Sequence, residues 1–323
     1  MMGTSAENRL GPIFIGGAAR SGKTLLRWLL SSHPRIAVSR RTEMWPRFFG
    51  RYGDLGRSEN LERCLQAMLA RKQVAALELD LARLRNDFRG GASTYARLFA
   101  LMHEQYAERS GKPRWGDQTG LIERFADELM TAYQGARLIH MVRDPRDRYA
   151  AVRDRATRRP GALGRAMSEW LSSVGLAGRN AERHAGSCTI VRYEDLVTRP
   201  EETIRELCAF LGETFEPEML RMEGVRRYDP ERARTGSPIS TAHVGAYRGE
   251  IDRSDIAFIQ AVAGRAMRAV GYPLDPIRLS PGERFRCATL GWPANLTRLG
   301  PRQALGILHG RPAFAELTEG SSR

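Results

Sequence analysis

Lysine is nearly absent from this chain. Of its 323 residues only Lys23, Lys72 and Lys112 are lysine, and the remaining basic residues, out of 51, are arginine. They give a formal net charge of +14. No block of five or six basic residues occurs, which weakens a nucleic-acid reading and leaves an acidic membrane, an anionic small ligand or a mere compositional habit of arginine. Cysteine is also scarce. Cys64, Cys188, Cys208 and Cys287 stand in no metal-like spacing, so reduced thiols and a reducing compartment are expected. No apolar run approaches the ~20 residues a membrane helix needs. The opening MMGTSAENRLGP has no apolar leader core. A cytoplasmic protein without a signal peptide or membrane span is therefore the expectation.

Apolar residues make up 42% of the chain, enough for a sizeable core. Pro12–Gly17 (PIFIGG), Ala136–Val142 (ARLIHMV) and Cys188–Tyr193 (CTIVRY) are short apolar runs that read as buried strands. Arg114–Asp117 reads as a shorter strand entering a loop. Helical spacing is found over Thr24–Ser32, in three stretches between about 58 and 110, and over Ile122–Tyr133, Met167–His184, Pro200–Leu211 and Asp255–Val270. Strands alternating with helices predict an α/β fold, a parallel sheet with helices on both faces. Residues 35–57 read as irregular. Residues 1–276 form the predicted domain. The Gly-, Pro- and Arg-rich stretch 277–323 is a C-terminal extension of unknown role: a packed arm, a homodimer contact or a mobile end.

Gly17-Ala18-Ala19-Arg20-Ser21-Gly22-Lys23-Thr24 satisfies the G-x4-G-K-[ST] phosphate-loop pattern between a predicted strand and a predicted helix. Glycines let backbone N–H groups approach phosphate oxygens, and the helix start adds free N–H groups and its positive dipole end. One of the three lysines falls on the motif. A kinase or NTPase using ATP-Mg would also need an aspartate closing a later apolar strand. Here the later strands end in Arg143-Asp144 and Tyr193-Glu194, and an arginine suits a second phosphate better than a metal.

Three ordered segments resemble the sulfotransferases that use 3′-phosphoadenosine-5′-phosphosulfate (PAPS), in particular bacterial members and those modifying tyrosine or glycans. They are Ala19–Leu26 with Ser32-His33-Pro34; Leu138–Asp147; and Val191–Val197 with Pro200–Thr203 and Phe210-Leu211-Gly212. Gly245–Arg248 and Gly271-Tyr272-Pro273 extend the resemblance, which spans roughly 12–273. It implies a P-loop-kinase-like fold and transfer of a sulfuryl group from PAPS, with the bisphosphate PAP as product, to a hydroxyl or amine of a small-molecule, glycan or lipid acceptor. No metal is required for that chemistry. Ala19, Arg20, Ser21, Gly22, Lys23 and Thr24 would grip the 5′-phosphosulfate, and Arg143 the 3′-phosphate. Arg155 would add a second arginine, with Arg153 as a substitute. Tyr193 would meet the adenine, and Arg248 would close over the nucleotide.

The chain departs from the family pattern at three places. Ala151 stands where a serine is usual. Gln118, in Trp115–Gly120, stands where many members carry lysine, and Lys23 stands where many carry threonine. Either Lys23 supplies the missing cation, with Arg20 beside it in catalysis, or Gln118 alone hydrogen-bonds the site and Lys23 binds phosphate only as in a kinase. Arg41 stands where relatives place a glutamate base. Glu43, two residues on, becomes the candidate base, with an ion pair to Arg40 or Arg41 as its plainer role. Asp117 is the runner-up base, otherwise a loop cap. His243 is a lesser acid–base candidate, while His33 and His140 read as structural. Trp45, Phe48, Phe49 and Tyr52 either line an acceptor pocket or pack beneath it. The alternatives to an enzyme of this kind are a P-loop kinase and a binding module without catalysis.

Overall fold

The computed structural model describes residues 10–152, 160–222 and 239–299. Five parallel strands form one sheet in the order β2-β3-β1-β4-β5: β1 (Ile13–Gly16), β2 (Ile36–Arg40), β3 (Arg114–Gln118), β4 (Arg137–Val142) and β5 (Cys188–Arg192). β1 is central. Ile15 lies beside Gln118 on one side and Ile139 on the other. The alternation of side chains along a strand explains why both faces need cover. Ile13 and Ile15 point to α1 (Lys23–Ser31), while Phe14 points to the opposite cluster.

That second cluster is built by α2 (Met44–Phe48), α3 (Ser58–Leu69), α4 (Lys72–Ala75), α5 (Leu81–Arg89), α6 (Tyr95–Arg109) and α7 (Ala126–Ala132). On the α1 side lie α10 (Tyr193–Thr198), α11 (Pro200–Leu211) and α12 (Glu218–Arg221). A third cluster joins α8 (Pro145–Val152), α9 (Ala162–Arg183), α13 (Tyr247–Glu250) and α14 (Arg253–Ala269). α11 opens on Pro200 and stops at Gly212, whose φ of +73° suits glycine.

One expectation is corrected. Residues 35–57 are not irregular throughout, because Ile36–Arg40 is the edge strand β2 and Met44–Phe48 is helical. The alternation Ala-Val-Ser-Arg hid β2, and pairing with β3 along Ile36–Arg114 to Arg40–Gln118 makes it a strand. In the C-terminal extension, residues 281–296 are helical and pack on the domain. α15 (Pro281–Arg286), capped by Ser280 and Glu283, runs through one π-turn into α16 (Trp292–Leu296). Trp292 packs edge-on to Phe258 at 5.6 Å. Asn295 accepts from the Gly164 N–H at 3.0 Å.

Because all five strands run parallel, their C-terminal ends face one edge, where the segments after β1, β2, β3 and β4 converge. Ligands of open parallel sheets sit at such an edge.

A methyl group at Gly164 would come within 1.9 Å of the Asn295 carbonyl oxygen. Gly164→Ala is expected to cost about 1–3 kcal/mol, read as a lowered Tm. Gly249→Ala on α13, where the added atom meets nothing within 4 Å among the described residues, should not lower Tm.

Candidate functional site

β1 ends at Gly16, and the chain turns sharply. Gly17 has φ +115°, and a Cβ there would lie 2.2 Å from the Met141 carbonyl oxygen. Gly22, at φ +93°, starts α1, and a Cβ there would press to 2.6 Å on the Tyr193 ring. Both glycines are therefore required by space as well as by backbone angle. Between them Arg20 takes φ +64° and is an exposed part of the cavity lining, while Ser21 is buried with a hydroxyl that has no hydrogen-bond partner among the described residues. Lys23 folds back on the loop and donates to Gly17 O (2.6 Å) and Ala18 O (2.5 Å). Burial lowers its pKa to about 8. Glu123 opposes that shift, and Arg148 and Arg41 add to it.

Arg148 braces the loop from behind. Its Nε donates to Ala19 O (2.9 Å), its Nη1 to Ala166 O (2.8 Å) and its Nη2 to Glu169 (2.7 Å). One buried guanidinium thus ties the phosphate loop to α9.

Arg143 leaves the end of β4 and crosses to the same loop. Its Nη1 donates to Arg20 O (3.3 Å) and its Nη2 to His243 O (2.9 Å). Its guanidinium lies 4.6 Å from the Tyr193 ring centroid, a cation–π contact. Its buried Nε has no partner among the described residues. Burial raises the Tyr193 pKa, against the pull of Arg143. The neighbouring acids are committed to structure. Asp144 pairs with Arg146 at 2.6 Å, and Asp147 accepts the N–H groups of Gly245 (2.7 Å) and Tyr247 (2.9 Å).

The loop, Arg143, Tyr193, Ala151 and the segment after β2 line one cavity of about 1810 Å³. Glu43 is on its wall, with φ +54°. Its Oε2 is held by Arg47 (2.6 Å) and Arg71 (2.7 Å), not by Arg40 or Arg41. Arg41 also lines the cavity, its N–H donating to Gln118 O (2.8 Å). Gln118 lines it too, with a buried Oε1 that has no partner among the described residues. Phe48 and Tyr52 face the cavity, whereas Trp45 and Phe49 pack on each other at 4.5 Å beneath it.

Several predicted residues are not brought to the cavity. Asp117 is fully buried in β3, accepting from Ser39 (2.8 Å) and Thr42 (3.0 Å), so it neither caps a loop nor lines the cavity. Arg248 turns away onto Asp275 (3.0 Å) and the Tyr247 ring. His140 is buried on Ser173 (2.9 Å), and burial lowers its pKa to about 4, which keeps it neutral. His33 is buried against Thr214 O (2.9 Å). His243 does line the cavity. Arg155 and Arg153 lie outside the described residues.

Sequence reasoning missed Arg148, Arg71 and Glu123. Arg148 stands five residues past Arg143, on the helix that follows β4, and that proximity was the available signal. Glu123 carried none, since nothing local marks Ile-Glu-Arg-Phe as returning to the phosphate loop.

A family model described as "Sulfotransferase family" matches residues 12–217. Among curated proteins, the chain is 25% identical over 273 residues to the protein-tyrosine sulfotransferase of Drosophila melanogaster, covering 78% of this chain and 51% of that protein. It is 25% identical over 280 residues to protein-tyrosine sulfotransferase 1 of Danio rerio, covering 80% and 72%. The chain spans about half the length of the Drosophila and Caenorhabditis elegans relatives, 51% and 54%. The sulfotransferase domain of the Synechococcus PCC 7002 olefin synthase has the same fold, with TM-score 0.59 and 22% identity, covering 85% of this chain and 100% of that one.

If Arg148 positions the loop, Arg148→Met should stay folded yet bind pyrophosphate about tenfold more weakly, equivalent to ~1.4 kcal/mol. Calorimetric titration of both proteins checks this.

Proposed function

The chain belongs to the sulfotransferase family, and from that premise we propose that it moves a sulfuryl group from PAPS to the hydroxyl or amine of a small-molecule, glycan or lipid acceptor. One observation carries the choice of donor. The phosphate loop and Arg143 line the same cavity, and Arg143 reaches the loop backbone at Arg20 O, 3.3 Å away. A nucleotide phosphorylated at both its 5′ and 3′ ends answers that pair of cationic ends. The donor also fits two buried groups that have no partner among the described residues, Nε–H of Arg143 on the cavity wall and the Ser21 hydroxyl in the loop, both able to donate to phosphate oxygens. Such atoms are costly unless a ligand engages them. The cavity exceeds the roughly 300–1,000 Å³ of a site for one small ligand, which supports a place for donor and acceptor together.

The chemistry is in-line. The acceptor oxygen forms a bond to sulfur as the bond from sulfur to the bridging phosphate oxygen breaks, and that oxygen leaves with negative charge. The protein must supply positive charge at the leaving phosphate and an acceptor for the hydroxyl proton. Lys23 and Arg20 take the first task, and Lys23 stands in for the lysine missing at Gln118. Ala19, Ser21, Gly22 and Thr24 hold the 5′ end, and Arg143 and Tyr193 hold the 3′-phosphate and adenine. Glu43 takes the proton. It lines the same cavity as Phe48 and Tyr52, and Arg47 and Arg71 hold it in place. Phe48, Tyr52 and Trp28 line the acceptor end. The kinase alternative is not favoured, because the aspartate after β4 is locked to Arg146 and Asp117 lies outside the cavity.

Adenosine 3′,5′-bisphosphate should raise Tm, by linkage, by more than ATP with Mg²⁺ does. Stabilisation by ATP–Mg²⁺ alone would point to a kinase. Lys23→Met should lose at least about 10²-fold in kcat/KM, and wild-type activity in that variant would remove Lys23 from catalysis. Glu43→Gln should bind the bisphosphate normally yet lose about 10²–10⁴-fold in kcat, and retained turnover would move the base elsewhere.

A further inference from the structure

Glu123 is out of place for an anion-binding loop. It follows β3 on a short 3-10 turn, Ile122–Phe125, is 2% exposed, and lines the floor of the cavity. Its Oε2 accepts the Gly17 N–H at 3.1 Å. No guanidinium or ammonium lies within ion-pair distance of it among the described residues. A buried carboxylate this close to bound phosphate repels the ligand, and a glutamine would accept the same N–H without that penalty. The charge itself therefore needs a reason.

We propose that Glu123 is a positioning residue of the phosphate loop, whose carboxylate clasps Gly17 and keeps the neighbouring Lys23 ammonium charged and seated on the loop carbonyls. Gly17 is held from both ends. Its N–H goes to Glu123 and its carbonyl accepts from Lys23 at 2.6 Å. The turn carrying Glu123 is itself fixed, because Asn180 on α9 donates to the Glu123 carbonyl at 2.7 Å. Gly16 adds an independent sign that space is reserved here. Its φ is not positive, so its backbone does not demand glycine, but a Cβ would come within 2.7 Å of Glu123 Oε2.

The groups facing Lys23 explain what the charge does. Arg148 from α8 and Arg41 after β2 both favour loss of its proton, as does burial, whereas Glu123 favours retention. Glu123 acts likewise on buried His140 of β4. Even with Glu123 present the Lys23 pKa is about 8. The cation is therefore present below that pH and lost as pH rises through it, and without Glu123 it would be lost at lower pH.

This role rests on the function proposed above for what Lys23 finally binds, but its test does not. With three lysines in the chain, ¹³Cε-lysine labelling gives three resonances, and Lys23→Arg assigns the one of interest. In Glu123→Gln, which keeps an acceptor for Gly17, the Lys23 midpoint should fall by roughly one pH unit. Gly16→Ala, which displaces the carboxylate by crowding, should move it the same way and decides the matter should the first variant not fold. Titrations superimposable on wild type would overturn the proposal and leave Glu123 a loop anchor.

A second readout follows function. Affinity for adenosine 3′,5′-bisphosphate should begin its alkaline decline at lower pH in Glu123→Gln. Adding Lys23→Arg should abolish that decline. A wild-type protein that does not bind the bisphosphate contradicts the donor assignment, while the lysine titration still decides the role of Glu123.

Discussion

A guanidinium leaving the end of β4 touches the backbone of a loop leaving the end of β1, and most of the site depends on that contact. Arg143 donates to Arg20 O and His243 O and stacks on Tyr193. It can do so because β1 and β4 are neighbours running in the same direction. Two segments 120 or so residues apart in sequence thus become two walls of one cavity. Tyr193, placed at the end of β5, fills the gap and rests against Gly22 where the loop enters α1. A glycine-rich loop by itself grips one phosphate group. The same loop facing an arginine from the adjacent strand has the makings of a grip on both ends of a nucleotide.

Crowding positive charge into a half-buried cavity has a physical cost, and the structure meets it with selected acids. Glu169 answers Arg148, Glu43 answers Arg47 and Arg71, and Glu123 stands near Lys23. The cavity-lining cations left without a carboxylate in ion-pair reach among the described residues are Arg20, Lys23, Arg41, Arg51, Arg124 and Arg143. A multiply charged donor would neutralise that remainder. Long side chains of this kind can reorient on binding, and Lys23 must release the carbonyls of Gly17 and Ala18 to do so.

Local chemistry was legible in the sequence, and long-range return was not. The phosphate loop, the strands bearing Phe14 and Ile139, Arg143 and Tyr193 all announce themselves within a few residues, because turn glycines and apolar runs act over that range. β2 escaped because an edge strand ending in serine and arginine has too little apolar signal, and only its pairing with β3 makes it a strand. Arg248 was misplaced toward the nucleotide because its motif position says nothing of Asp275, which captures it. Glu43 was found on the cavity wall, but with Arg47 one helical turn away and Arg71 from a distant segment as partners. Glu123 and Arg148 needed coordinates, since each works on a loop more than 100 residues away in sequence.

The central claim is that the loop and Arg143 bind the two phosphorylated ends of one nucleotide. Calorimetric comparison of adenosine 3′,5′-bisphosphate with adenosine 5′-monophosphate tests it most directly, in the wild-type protein and in Arg143→Met. The wild type should prefer the bisphosphate by about tenfold or more, the worth of a charge-assisted contact, and Arg143→Met should bind the two alike. Equal affinities in the wild type, or an undiminished preference in the variant, would contradict the account.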